Sequence, residues 1–361
     1  MSRGRFSGFR GLLGGRGGAL AGIDISSTSV KVVTLSKNCR QLESYVSEPL
    51  PQGAVVERNI VQPDVVGNAI QVALKRGRIQ AKEAAVAVSG SAVITKTIPM
   101  PADLSDNELE NQITLEAGQY IPFPLEDVNF DFQRMGPVPN NPGQVNVLLA
   151  ASRKENVEGR VAAVEMSDLK VRIVDIEAYA MENAFSLLPA PAGMQAGEGV
   201  AALVDMGASS MNLHVFQRGE SVFTREQAFG CRQVNDQIRQ DYGVSEEDAE
   251  AIKRGLMPQP EEYEERILSP YRENVARQLN RALQFFYSSS HLDSVDYVVL
   301  AGGCAAMGGL DRQIQQAIGM PVMVANPFVA MSHSSRINST ELQKDGPALM
   351  VACGLAMRGC S

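Results

Sequence analysis

A chain of 361 residues, 44% of them apolar, can bury more core than one domain usually holds, so two lobes are expected. A net charge of −8 and a pI near 5.1 exclude a general nucleic-acid binder, which needs a basic surface to track phosphates. Five scattered cysteines (Cys39, Cys231, Cys304, Cys353 and Cys360) and three histidines contain no C-x-x-C pair. They build no zinc framework, and the cysteines are expected to be free buried thiols in a reducing compartment.

Residues 1–19 read as a Gly/Arg-rich flexible tail. Arg3, Arg5, Arg10 and Arg16 alternate with Phe6, Phe9, Leu12 and Leu13, a pattern that also suits weak contact with a membrane surface. Seven glycines oppose a helix there, and Arg16 interrupts any secretory apolar region. No run of about 18 apolar residues occurs, so no membrane span is expected.

The first lobe opens with an apolar strand at 20–25 that contains Asp24, followed by Ser26, Ser27, Thr28 and Ser29. Strands at 30–36 and 41–50 follow, then a helix at 63–76 with Val65, Val66, Ala69, Ile70, Ala73 and Leu74 at helical spacing. Residues 93–170 belong to neither repeat and read as an inserted subdomain. It holds a strand at 92–98, a helix after Ser105 with Glu108 completing a capping box, and a strand at 128–134. A Pro/Asn/Gly loop at 136–143, a strand at 145–151 and a helix at 154–166 complete a βαββα set. Residues 171–195 return to the first lobe, and the Ala/Gly/Pro-rich stretch 190–199 reads as a hinge.

The opening pattern then recurs 181 residues later, Asp205 standing where Asp24 stood. A strand at 200–206 is followed by Gly207, Ala208, Ser209 and Ser210, by strands at 211–217 and 221–228, and by a helix at 232–242. The second lobe, 196–361, carries an α-rich subdomain at about 230–292, with helices at 245–254 and 269–289. A strand at 296–301 runs into Gly302 and Gly303, which read as a turn and helix entrance, with a helix at 310–318 and a strand at 322–325.

Tight turns rich in Gly, Ser and Thr expose backbone N–H groups that suit polyphosphate. Two of them, one per lobe, would clamp it from both sides. Asp24 and Asp205 would supply hard oxygen ligands for Mg²⁺, through water, and Lys31 would reach a phosphate. Gly302 and Gly303 would admit adenine and ribose against bare backbone.

Three motifs carry a resemblance. G-I-D-I-S-S-T-S-V-K (22–31) and V-D-M-G-A-S-S (204–210) are similar to the two phosphate motifs of the PilM family of type IV pilus assembly proteins, and V-V-L-A-G-G-C-A-A-M-G-G-L (298–310) to its adenosine motif. The likeness runs from about Leu20 to the C-terminus and takes in P-M-P (99–101) and Y-I-P-F-P (120–124). It implies an α/β, actin-like (ribonuclease H-like) two-lobed fold related to FtsA, with duplicated βββα-type cores and the inserted subdomain in the first lobe.

The implied function is that of an ATP- and Mg²⁺-binding component of the pilus machine. It would work at the cytoplasmic face of the inner membrane with slow or no ATP turnover. It would hold the N-terminal cytoplasmic tail of PilN and meet other machine components, motor-side proteins among them. Homo-oligomers and peripheral membrane association are compatible with it; nucleic acid is not expected.

By the same resemblance Ser26, Ser27, Thr28, Ser29 and Lys31 contact phosphates, Asp24 and Asp205 organise magnesium, and Gly207, Ala208 and Ser209 hold the phosphates from the other side. Glu250 and Lys253 stand for ribose and base contacts, against the plainer alternative of an exposed charged helix face. Glu177 stands for the side chain that orients attacking water, against that of an ordinary helix glutamate. Ser26 departs from a common glycine, and Gly230-Cys231 from a common Gly-Gly. An FtsA-like filament former and a small-metabolite kinase of the same fold are the competing functions; no carboxylate base for a kinase is evident beyond the two aspartates.

Overall fold

The computed structural model describes residues 20–195 and 198–360; the expectations for the basic tail lie outside them. The described residues form two compact units, one running up to Ala180 and resuming at Val351, the other spanning Met181–Met350. The C-terminal residues, expected with the second lobe, therefore belong to the first unit.

In the first unit, β1 (Leu20–Ile25), β2 (Ser29–Leu35) and β3 (Gln41–Pro49) form an antiparallel meander. A short hairpin follows, β4 (Val55–Val56) with β5 (Asn59–Ile60), which no turn residue in the sequence announces. Helix α1 (Pro63–Gly77) starts on a proline, whose fixed φ and missing N–H suit a first turn. It ends at Arg78 in the left-handed conformation, the N–H of which donates to the Leu74 and Lys75 carbonyls. Strand β6 (Glu83–Val88) lies parallel to β1.

Next come β7 (Val93–Pro101), α2 (Asp106–Glu116), β8 (Val128–Val138) and β9 (Asn141–Arg153), with the strands ordered β7-β9-β8. Ser105 and Glu108 close the predicted capping box, the Ser105 N–H donating to Glu108 Oε2 at 2.8 Å. Leu109 and Ile113 of α2 pack with Ile98, Met100, Val147 and Leu149 in a separate core. The loop expected at 136–143 is mostly strand. Only two residues turn, Asn140 being left-handed at φ 63°, and register shifts at Gly136 and Val138 absorb the prolines.

Helix α3 (Lys154–Glu165), read from sequence as the last element of the inserted set, buries Ala163 and Val164 with Val66, Ile70 and Ala73 of α1 and with Ile23, Val32 and Val86 of the sheet. Strand β10 (Lys170–Ile176) is parallel to β6, so the order is β10-β6-β1-β2-β3. The chain passes into the second unit along α4 (Glu177–Phe185).

That unit repeats the design. A meander of β11 (Val200–Met206), β12 (Met211–Gln217) and β13 (Glu220–Gln227) precedes α5 (Arg232–Tyr242), α6 (Glu246–Lys253) and the long α7 (Ser269–Ser289). Strand β14 (Tyr297–Ala301), α8 (Leu310–Ile318) and β15 (Val322–Val324) follow, then α9 (Ser339–Asp345) and α10 (Met350–Ala356), along which the chain re-enters the first unit. The strand order is β15-β14-β11-β12-β13, with β11, β14 and β15 parallel. It matches the first unit strand for strand. Val275, Leu279, Leu283 and Phe286 of α7 pack with Val204, Leu213, Val298 and Leu300; shortening one such residue to Ala costs about 2–5 kcal/mol. Gly302-Gly303 do not open a helix: turns occupy the chain until α8 starts at Leu310.

The cysteines also depart from expectation. Cys39, in the β2–β3 turn, is bonded to Cys360, and Cys231 to Cys304, while Cys353 is free and buried. Sequence separations of 321 and 73 residues hide both pairs from a reading of local spacing.

Candidate functional site

The two opening hairpins are built alike. In the first unit Asp24 pairs with Lys31 across the ladder and Ile25 with Val30, and the Ser26 N–H closes the turn on the Ser29 carbonyl at 3.0 Å. In the second Asp205 pairs with Asn212 and Met206 with Met211, and the Gly207 N–H closes on the Ser210 carbonyl at 2.9 Å. Ser27-Thr28 and Ala208-Ser209 are thus the two tips. The 181-residue offset maps acid onto acid, turn onto turn, and the cross-strand donor onto a donor.

A cross-strand donor reaches each acid, as an ion pair in the first unit and as a longer amide contact in the second. Lys31 Nζ lies 2.8 Å from Asp24 Oδ2 and 3.4 Å from Ser26 Oγ; Asn212 Nδ2 lies 3.4 Å from Asp205 Oδ2. The Ser26 hydroxyl donates to the Ser29 carbonyl at 2.9 Å, so serine in place of a common glycine adds a bond that fixes the turn. Asp24 and Lys31 side chains are each 12% exposed, sheltered enough for their pairing to matter yet open to a small ligand. The donor set at each tip, hydroxyls and turn N–H groups beside one carboxylate, fits phosphate oxygens and a hard cation.

The glycine pair adjoins the second hairpin. Gly302 has φ +86°, its N–H donates to the Pro347 carbonyl at 2.8 Å, and a Cβ there would lie 2.6 Å from Asp205 Oδ1. Nothing lies within 4 Å of a Cβ at Gly303. Only Gly302 is therefore required by the packing, and Gly303 leaves open backbone.

Glu177 begins α4, directly after the end of β10. Its Oε2 accepts a short ion-paired hydrogen bond from Arg58 Nη1. Arg58 and Glu57 form the β4–β5 turn with φ of 65° and 48°, an uncommon conformation for such side chains. The turn is held from below by Arg160, 4% exposed, which donates to the Arg58 carbonyl at 2.8 Å and the Asn156 carbonyl at 2.9 Å. Burial pulls the Arg160 guanidinium below its ordinary value, and the Glu177 and Asp24 carboxylates pull it back. Arg58, the partner of Glu177, had no sequence signal, because neither Glu57 nor Arg58 marks a turn.

In the second unit Glu250 and Lys253 meet on α6 as an ion pair. Glu250 Oε2 also receives Asn235 Nδ2 of α5 at 2.9 Å, and the same amide reaches Glu246 Oε1 at 3.2 Å. Burial pushes the Glu250 carboxyl up, but the hydrogen bond and charge of Lys253, with Asn235 and Arg254, outweigh it and hold it below the usual range. The Glu250 side chain is still 44% exposed, so the carboxylate is shared with Lys253 and Asn235 on an open helix face. Asn235 was legible in principle, as a polar residue on the face of α5 that buries Val234 and Ile238.

The model of the family described as type IV pilus assembly protein PilM matches residues 22–360. Among solved structures, a chain of a PilM–PilN type IV pilus biogenesis complex is similar at 27% identity and a TM-score of 0.77, with 95% of this chain and 98% of that chain covered. The ethanolamine utilization protein EutJ from Carboxydothermus hydrogenoformans shares the fold at 14% identity and a TM-score of 0.57, over 94% of this chain and 89% of its own. Paired meander-plus-parallel sheets, the repeated acidic hairpin and the family match over nearly the whole described chain agree: the fold is actin-like, and the chain belongs to the type IV pilus assembly protein PilM family.

Proposed function

We propose that this chain binds Mg·ATP through its two acid-bearing hairpins and serves as a scaffold of type IV pilus assembly at the cytoplasmic face of the inner membrane, holding the N-terminal tail of PilN. The observation that carries the nucleotide reading is the position-for-position repeat of the Asp24 to Lys31 hairpin in Asp205 to Asn212, with the acid, the turn hydrogen bond and a cross-strand donor at matching places. The family match and the similar PilM–PilN chain support the partner.

In this reading Ser26, Ser27, Thr28, Ser29, Gly207, Ala208 and Ser209 give hydroxyl and N–H donors to phosphates. Asp24 and Asp205 would hold Mg²⁺. Lys31, resting on Asp24, is the cation a phosphate would share. Gly302, Gly303, Glu250 and Lys253 form the adenosine side, and the ordered Glu250 carboxylate suits ribose hydroxyls. When bound, Mg·ATP would supply concentrated phosphate charge and a hard divalent cation. The ion pair of Glu177 with Arg58 commits the side chain that would orient water, which accords with slow or no turnover.

A peptide of the PilN N-terminal tail, titrated into the full chain with and without Mg·ATP, tests the coupling. The expected result is a nucleotide-dependent change in peptide affinity. Equal affinities would remove the coupling, and no peptide binding in either condition would remove the partner.

A further inference from the structure

The sequence places a cysteine where a second glycine is common, in Gly230-Cys231, and another directly after Gly302-Gly303. These two cysteines are bonded to each other, with Cα atoms 6.1 Å apart. Both segments hydrogen-bond to the second hairpin. From the β13 side the Cys231 N–H donates to the Gly207 carbonyl at 3.1 Å and the Arg232 N–H to the Ala208 carbonyl at 2.9 Å. From the β14 side the Cys304 N–H donates to the Met206 carbonyl at 3.2 Å. Gly230 packs so tightly that a Cβ there would sit 2.6 Å from the Ser209 nitrogen. Residues 206–209 are thus gripped from two directions by segments that one sulfur–sulfur bond joins.

We infer that Cys231 and Cys304 form a reversible thiol–disulfide site that sets how firmly the second hairpin is held, and thereby how tightly the chain takes a nucleoside triphosphate; this rests on the nucleotide reading above. At a cytoplasmic face, a protein disulfide is characteristically transient and redox-sensing rather than a permanent staple. The oxidant is a low-molecular-weight disulfide such as oxidised glutathione. One cysteine thiolate, its proton released to water, attacks the small disulfide and expels one small thiolate. The second cysteine, also deprotonated, attacks the mixed disulfide and expels the other. The two protein sulfurs lose two electrons between them and the small disulfide gains two. Cys231 is the residue that precedes the first turn of α5 and is 7% exposed. Burial pushes the Cys353 thiol up, so it does not compete as a nucleophile.

The bond pre-organises the loop that presents N–H groups to phosphate, so the oxidised form binds tighter. Linkage makes the effect reciprocal: bound nucleotide opposes reduction by the same factor.

The test uses the full chain carrying Cys39→Ser and Cys360→Ser, poised in glutathione buffers of graded ratio, with differential alkylation and mass spectrometry reporting the Cys231–Cys304 state. Mg·ATP affinity is measured for the oxidised and reduced forms, and in the unsubstituted chain as well, in case the serines disturb folding. The expected results are interconversion of the pair, affinity about fivefold or more higher in the oxidised form, and an equal shift of the redox midpoint with Mg·ATP. Persistence of both thiols at every ratio, or equal affinity of the two forms, would overturn the inference alone. Absence of Mg·ATP binding in both forms would overturn the inference together with the reading beneath it.

Discussion

Substituting Gly302 by alanine separates a packing requirement from a merely permissive position, because Gly303 beside it is an internal control. At Gly302 the backbone is left-handed, φ +86°, which costs an L-residue about 1–2 kcal/mol. The new methyl would also press on the Met206 carbonyl, 2.7 Å from its carbon and 2.6 Å from Asp205 Oδ1. Backbone cannot swing aside as a flexible side chain does, so overpacking adds about 1–3 kcal/mol. The sum, about 2–5 kcal/mol, falls on the second unit and displaces Asp205. At Gly303 φ is not positive and no atom lies within 4 Å of the methyl, so Gly303→Ala should stay within about 0.5 kcal/mol. Urea unfolding followed by circular dichroism reads the difference; with a slope of about 2–3 kcal/mol per molar, the Gly302→Ala midpoint falls by about 0.7–2.5 M. Midpoints that coincide for the two variants would refute the argument.

Two further outcomes follow from the charged networks. The Glu250 pKa is lowered in the folded state, so its contribution is present above the unfolded carboxylate value, near 4.3, and is lost as pH falls through the depressed folded value; Lys253→Met should move the Glu250 titration, followed by NMR, upward and weaken that acid-side loss of stability. Arg160→Leu removes the donor to the Arg58 and Asn156 carbonyls and should destabilise the first unit by about 2–4 kcal/mol, measured by denaturant unfolding, with unchanged stability contradicting the role given to it.

The hairpins were legible because phosphate-type turns need small and hydroxylic residues, and these stand at matched offsets from each aspartate. Helix α7 was legible to the residue, since its apolar spacing has no rival period over so long a stretch. Three features were not. The left-handed Glu57-Arg58 turn uses residues that turn rules do not flag, so the partner of Glu177 stayed hidden. The 136–143 stretch looked like a loop because prolines outweighed strand pattern, whereas bulges let the pairing continue. The return of the C-terminal residues to the first unit depends on contacts far apart in sequence: Arg358 lies 3.4 Å from Asp175, a carboxyl that burial pushes up while Arg358 pulls it back, and Cys360 joins Cys39. Local periodicity carries no trace of such pairings.

The most direct measurement is a calorimetric titration of Mg·ATP into the purified full chain, its Asp24→Asn and Asp205→Asn variants, and the unsubstituted chain with magnesium chelated. The account predicts one nucleotide per chain, with each substitution and the chelation weakening binding about tenfold or more. No binding by the unsubstituted chain, or binding indifferent to both aspartates, would contradict it.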